Sequence, residues 1–389
     1  MAKLSNFMKL FKPYLFEELY RKAAMCRKNG MNVINLAIGD PDIPTDRRIV
    51  DVAVAETKNP KNHRYPNTKG NEQLRKSISN WHKRRHGILL DYNDNISVLI
   101  GSKEGIAHLP LVLMNRGDYC LICDPTYPTY QTGVWMVGGR IYSVPLLEKN
   151  NFLPDLGRIP KKVLDKTKLF FLNYPNNPTG AVMDKSYMKE LVKWAKKNDI
   201  FIALDSAYSE IYFDKPTHSI FEIPGAMDTA VEFYSVSKTY SMAGWRIGWI
   251  CGNKDVVCGL NTVKENMDSG QFNAIQNACA FALDNHEDIV PEIRKKFNSR
   301  ASKFSDVLEK SGWKFKRPSG SCFLWAKPPI KRESVEICDF ILNETGVLLA
   351  PGDGFGKYGK GYVRISTTED DDILDIAIKK IGSIDWRKI

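Results

Sequence analysis

The run Ser235-Val236-Ser237-Lys238-Thr239 closes an apolar stretch that begins at Val231. A lysine flanked by hydroxyls at the end of such a stretch is unlike the many surface lysines of this chain. Partial desolvation, or a second cation close by, lowers an amine's pKa and makes it nucleophilic. Arg246, eight residues on in Gly244-Trp245-Arg246, can supply that cation. Ser235, Ser237 and Arg246 together offer two hydroxyls and a guanidinium fork, the donors that a phosphate accepts. A nucleophilic lysine beside a phosphate cradle has the chemistry to form a Schiff base with a phosphorylated aldehyde, and pyridoxal phosphate fits that description.

This reading demands further parts. A carboxylate must keep the pyridine nitrogen protonated; Asp205 ends the apolar segment Phe201–Leu204, although a residue there can equally cap the next helix. The ring hydroxyl needs partners, and Asn177, in Asn173-Tyr-Pro-Asn-Asn-Pro-Thr-Gly180, and Tyr208 are available, although the Pro/Gly-rich turn can also be simple chain reversal. Gly101-Ser102-Lys103 precedes a helical stretch and offers backbone N–H groups to a phosphate. Tyr127 can cover the ring. Each candidate follows an apolar segment of strand character.

The elements that must position these residues follow from the pattern. Short apolar segments at 96–100, 119–123, 140–144, 169–173, 201–204, 231–235 and 245–251 read as strands covered on both faces. Helical stretches lie between them, at 104–114, 185–197 (with Asp184 as N-cap) and 255–268. The alternation predicts an α/β fold: a large domain with a mainly parallel, seven-stranded sheet. From about residue 286 a long charged helix, three strand-like pieces and two further helices predict a smaller α+β domain. The expected division is 1–44 as an N-terminal arm joining the small domain, 45–285 as the large domain and 286–389 as the small one.

Composition narrows the function classes. With 43% hydrophobic and 26% charged residues, the 389-residue chain reads as an ordinary folded protein. The net charge of +11 is spread in small packets, among them residues 83–85 and 294–296, which read as solvated helix faces. No nucleic-acid partner is expected from them, and no membrane partner, since no apolar run approaches the length of a bilayer span. The arm, with Lys3, Lys9 and Lys12 among apolar residues, makes a poor signal peptide, so a cytoplasmic enzyme is expected. Eight scattered cysteines form no disulfide framework, and Cys120-x-x-Cys123 lies within a strand, so no metal site is expected. Gly354-x-Gly356-x-x-Gly359 imitates a dinucleotide fingerprint, but a strand-like run follows it, so a turn-rich loop is expected.

Taken together, Asn177-Pro-Thr-Gly180, Asp205-x-Ala-Tyr208, Ser235-x-Ser237-Lys238 with Arg246, and Val363-Arg364-Ile-Ser366 resemble the fold-type I, pyridoxal-phosphate-dependent aminotransferases of class I/II over nearly the whole chain. The resemblance implies that Lys238 holds the cofactor and acts as general base and acid in a ping-pong transfer. It implies that Asp205 pairs with the pyridine nitrogen, that Asn177 and Tyr208 bind the ring hydroxyl, and that Tyr127 stacks on the ring. Ser102, Lys103, Ser235, Ser237 and Arg246 would hold the phosphate; Arg364, with Gly39 close by, would take the substrate carboxylate. Tyr65 resembles the tyrosine that reaches the neighbouring subunit's phosphate in a homodimer with shared sites.

More particular stretches, Pro60–Pro66, Gly101–Pro110, Asp205–Ile211 and Asp268–Phe272, resemble LL-diaminopimelate aminotransferases of lysine biosynthesis. That implies LL-diaminopimelate as donor and 2-oxoglutarate as acceptor. Glu104 would then receive the distal ammonium of the substrate, or else only favour its helix N-terminus. Aspartate, alanine or broad-range activity stays open, as do a β-lyase or decarboxylase built on the same machinery and a cofactor-binding regulator.

Overall fold

The computed structural model describes residues 4–11 and 15–388. Lys3 and Lys12 of the N-terminal arm lie outside the described residues. A seven-stranded sheet is built from β1 (Ile96–Leu99), β2 (Tyr119–Asp124), β3 (Arg140–Pro145), β4 (Thr167–Asn173), β5 (Phe201–Asp205), β6 (Ala230–Ser235) and β7 (Gly248–Gly252). Its order is β1-β7-β6-β5-β4-β2-β3. β7 runs antiparallel to both neighbours and the remaining pairs are parallel.

All of these strands except the edge strand β3, where only Val144 is fully buried, are buried on both faces, and alternate side chains feed two cores. In β4, Phe170 and Leu172 join the core on one face, while Leu169 and Phe171 join the core on the other. This is why the segments read as continuous apolar runs instead of alternating ones. Cys120 and Cys123 are part of β2, both buried, and burial pushes their thiols up, so they pack as small apolar side chains.

One boundary differs from the sequence reading. The last strand begins at Gly248, not at Trp245, because Ala243–Trp245 forms a 3-10 turn and Arg246 has φ +54°. A residue in the left-handed region cannot continue a strand. That turn sends the Arg246 side chain back over Gly101.

A second, four-stranded antiparallel sheet combines β8 (Lys314–Phe315), β9 (Phe323–Lys327), β10 (Ala350–Pro351) and β11 (Val363–Ser366), in the order β10-β11-β9-β8. Helices His286–Lys310, Ser334–Thr345 and Asp371–Gly382 pack around it. Ile34 and Leu36 enter the same core, and Ile34–Asn35 pairs in parallel with Val347–Leu348. The Gly354–Gly359 run forms two 3-10 turns before β11. Asp124, at the end of β2, accepts the amides of Lys357 and Tyr358 at 3.2 and 3.0 Å, which ties this loop to the large sheet.

The basic packets are not all solvated faces. Arg85 and Arg294 turn inward onto the buried carboxylate of Glu210, at 3.0 and 3.3 Å. Sequence pattern cannot see this, because the three residues come from distant segments.

Candidate active site

In a parallel sheet the C-terminal strand ends lie together at one edge, where ligands bind in α/β proteins. Here that edge carries Asn173 (β4), Asp205 (β5) and Ser235 (β6), with Gly101–Lys103 after β1 and Tyr127 after β2. They open on a cavity of about 320 Å³, closed from the opposite side by Gly39, Phe323 and Arg364. Of the sequence-predicted residues, the cavity gathers Gly39, Ser102, Lys103, Tyr127, Asn177, Asp205, Tyr208, Ser235, Ser237, Lys238, Arg246 and Arg364.

Lys238 lies in the single turn Val236–Thr239, which Ser235 caps through its side chain. Its ammonium donates to the carbonyl of Gly39. Burial pushes this amine below its ordinary value, with Arg364 and Arg246 adding to the effect against Cys322 and Asp40. Asp205 is 6% exposed and accepts from the Tyr130 hydroxyl at 2.7 Å and the Ala207 amide at 3.2 Å. Burial outweighs those two bonds and pushes its carboxyl up to about 6. Among the described residues no cation pairs with it. A buried carboxylate without a counter-charge is costly, so the position favours a cationic ligand.

The phosphate-sized end is built from backbone and hydroxyls. Ser235 Oγ lies 2.9 Å from Ser237 Oγ. The helix Ser102–Leu113 opens on the cavity, and Gly101 at its N-cap provides no side-chain cap. Gly101 has φ +72°, and a Cβ there would run into the Arg246 guanidinium. Only glycine fits both the angle and the space. Hydroxyls, a helix N-terminus and a guanidinium on one small concavity suit a phosphate.

At the other end Arg364, 1% exposed, donates to Asn177 Oδ1 at 2.8 Å and to the Ala37 carbonyl. Phe323, Phe355 and Phe16 face its guanidinium at 4.1, 4.7 and 5.0 Å. Aromatic walls of this kind strengthen a charge-assisted bond by excluding water. Arg300, bound to Asp42 through two 2.7 Å bonds and to Asp371 through another, ties the Gly39 loop to the segment after β11.

Two predicted residues lie elsewhere. Tyr65 is 91% exposed and does not line the cavity. Glu104 also stands outside the lining. It accepts from Lys264 Nζ at 3.0 Å, His108 Nδ1 at 3.0 Å and the Ile100 amide at 3.2 Å. Burial would raise this carboxyl, but His108 and Lys264 hold it below its ordinary range. Its charge is already matched, so the helix-terminus reading suits it better than ammonium capture.

Sequence reasoning missed Tyr130, Asn173, Phe16 and Tyr20, all lining the cavity. Tyr130 had a signal, a second aromatic three residues beyond Tyr127 after the same strand. Asn173 donates from Nδ2 to the Asp205 carbonyl at 2.8 Å, and its Oδ1 accepts the Asn177 amide at 2.7 Å, so it braces both. Phe16 and Tyr20 come from the helix Leu15–Lys28, and nothing local marks them.

The residues present fit pyridoxal phosphate: a reactive-type amine, a buried carboxylate lacking a cation and a phosphate cradle surround one cavity. The comparisons agree. The family model for aminotransferase class I and II matches residues 31–381. The chain is 46% identical over 386 residues to an LL-diaminopimelate aminotransferase of Aquifex aeolicus, covering 99% of this chain and 100% of that one. The substrate-bound BacF structure from Bacillus subtilis superposes with a TM-score of 0.94 at 32% identity, covering 98% of each chain. An aminotransferase from Staphylococcus aureus gives 0.90 at 34% identity, covering 97% of this chain and 98% of that one. With the motifs assembled around one cavity and the likeness running end to end, the chain belongs to the class I and II aminotransferases, enzymes that move amino groups with pyridoxal phosphate.

Proposed function

We infer that the protein transfers an amino group from LL-diaminopimelate to 2-oxoglutarate, a step of lysine biosynthesis. The observation that carries this reading is the full-length similarity to relatives named for that donor, at 46% identity in Aquifex aeolicus and 45% in Maridesulfovibrio salexigens. It is supported by a cavity with a deeply buried arginine for one carboxylate.

Bound here, the cofactor supplies a protonated ring that draws off the electron pair left when the substrate loses its Cα proton. Asp205 would keep that ring protonated. Asn177 and Tyr208 would orient it through its hydroxyl, and Tyr127 would cover its face. Ser235, Ser237, Arg246 and the Ser102 and Lys103 amides would hold the phosphate. Lys238 would hold the cofactor at rest, and its freed amine would be the group placed to take up and return the substrate's Cα proton. Its lowered pKa suits a base that must start unprotonated. Arg364 holds the substrate carboxylate beside Gly39, which orients the Cα–H bond more than it lowers the barrier. Residues 45–285 form the cofactor-binding part, with 286–389 and the arm 1–44 as the smaller part.

The exposure of Tyr65 supports a homodimer in which it reaches the other copy's phosphate. Light scattering at twice the 44.2 kDa chain mass is expected. No described helix is long and apolar enough to cross a membrane, which is compatible with a cytoplasmic enzyme.

The test is a panel of amino acids mixed with the purified holoenzyme while the cofactor absorbance is followed. Diaminopimelate is expected to convert the cofactor to its aminated form rapidly, and aspartate and alanine slowly. Equal rates with all three would point to a broad-range aminotransferase instead. Release of ammonia with pyruvate, or of carbon dioxide, would indicate a lyase or decarboxylase. Lys238→Ala is expected to abolish turnover.

A further inference from the structure

The Lys264 side chain is fully buried, 0% exposed, yet it belongs to no part of the cavity. A buried ammonium is tolerated only where opposite charges meet it. Glu104 Oε2 lies 3.0 Å away, and both oxygens of Asp268 lie at 3.1 Å. Each partner leads to a different wall of the phosphate end. Glu104 is in the first turn of the helix that presents Ser102 and Lys103, and it also binds the amide of Ile100, just before Gly101. Asp268 accepts the Gly270 amide at 2.9 Å, and in the same loop Gln271 Nε2 donates to the carbonyls of Trp245, at 3.2 Å, and Arg246. Gln276 fixes Gln271 in turn, donating to its carbonyl at 2.6 Å. One buried cation thus joins the helix terminus on one side of the phosphate to the backbone of the arginine on the other.

We propose that Lys264, bridging Glu104 and Asp268, is a positioning residue that sets the spacing between the Ser102–Lys103 amides and Arg246, and so the affinity for the cofactor phosphate. It touches neither cofactor nor substrate. The proposal rests on the cavity being the cofactor site and is independent of which amino acid is the donor. Displacing one wall by a fraction of an ångström loosens a multi-point anion site, because its hydrogen bonds fall off steeply with distance and angle.

The experiment titrates apoprotein with pyridoxal phosphate, reading the dissociation constant from cofactor absorbance for Glu104→Gln, Lys264→Met and the double variant. Each single change is expected to weaken binding by about tenfold or more. The double variant is expected to be no worse than the weaker single, because the second change finds the bridge already broken. At saturating cofactor kcat should stay within about threefold of the unaltered enzyme. Glu104→Gln leaves Asp268 on the ammonium, so it decides the matter even where Lys264→Met does not fold. A dissociation constant within about twofold in folded Glu104→Gln overturns the proposal. So does a defect confined to KM for diaminopimelate, which would return Glu104 to ammonium capture, and so does loss of folding in Glu104→Gln itself. No donor enters the titration, so a wrong substrate assignment leaves its result unchanged.

Discussion

Asp205 and Glu210 stand five residues apart in one segment, and both carboxylates are almost wholly buried, at 6% and 1% exposed. Their environments push them in opposite directions. Around Glu210, burial alone would raise the pKa, but His286, Arg85 and Arg294 hold it down at about 2. Around Asp205 the same burial acts against only a tyrosine hydroxyl and an amide, and the pKa rises to about 6. Glu210 has its counter-charges within the chain and is part of the framework. Asp205 lacks one, and the cofactor's pyridinium is the cation that would complete it. Of these two buried carboxylates, the one the chain leaves without a cation is the one that lines the cavity.

The comparison can be broken most severely at Glu210. Glu210→Gln strands two arginines beside a buried amide, and a broken buried pair costs about 3–5 kcal/mol. The melting temperature is expected to fall sharply, while folded molecules loaded with cofactor keep most of their rate. A variant that melts normally but turns over slowly would reverse the assignment. Asp205→Asn should do the opposite. It keeps some bound cofactor and a normal melt, but slows the first half-reaction by about 10²–10³-fold, the scale of losing one preorganised electrostatic partner. An unchanged stopped-flow half-reaction would contradict this.

The pH dependence of apoprotein stability sharpens the contrast. Asp205 binds its proton more tightly folded (about 6) than unfolded (about 3.9). The folded state therefore loses stability as pH rises between those values, by up to about 3 kcal/mol. Glu210 has the opposite sign. Its contribution is complete above the unfolded value of about 4.3 and is lost as pH falls through about 2. Melting curves of Asp205→Asn apoprotein should lack the decline between about pH 4 and 6, and those of Glu210→Gln should lack the acid loss. The smallest expected effect is that of Tyr130→Phe. It removes one hydrogen bond to the carboxylate, worth about 1.5–3 kcal/mol when charged. It should raise the Asp205 pKa further and weaken cofactor binding by about tenfold or more, leaving the melt near normal; unchanged binding would show the bond to be incidental.

The site was legible in the sequence to the extent that its residues follow strands. Lys238, Asp205, Asn177, Ser102 and Tyr127 each come just after a buried apolar run, and a parallel sheet necessarily brings such positions to one edge. Asn173 and Tyr130 obey the same rule and were overlooked because their partner, Asp205, is reached only through space. The sequence places the start of β7 too early because apolar character continues through Trp245, whereas Arg246 takes a left-handed backbone and sets its guanidinium against Gly101.

What the sequence determined by itself was the α/β pattern and a set of candidate groups, a lysine, a carboxylate and several hydroxyls, since each depends on residue type and local order. What only the tertiary structure decided was how charge is matched. Glu104 was open to two roles until Lys264, 160 positions away, was found against it. Arg85 and Arg294 read as solvated faces until they met Glu210. Hydrophobic periodicity repeats along the chain and can be read there. Charge pairing is settled by distances of a few ångströms between segments whose separation in sequence carries no signal.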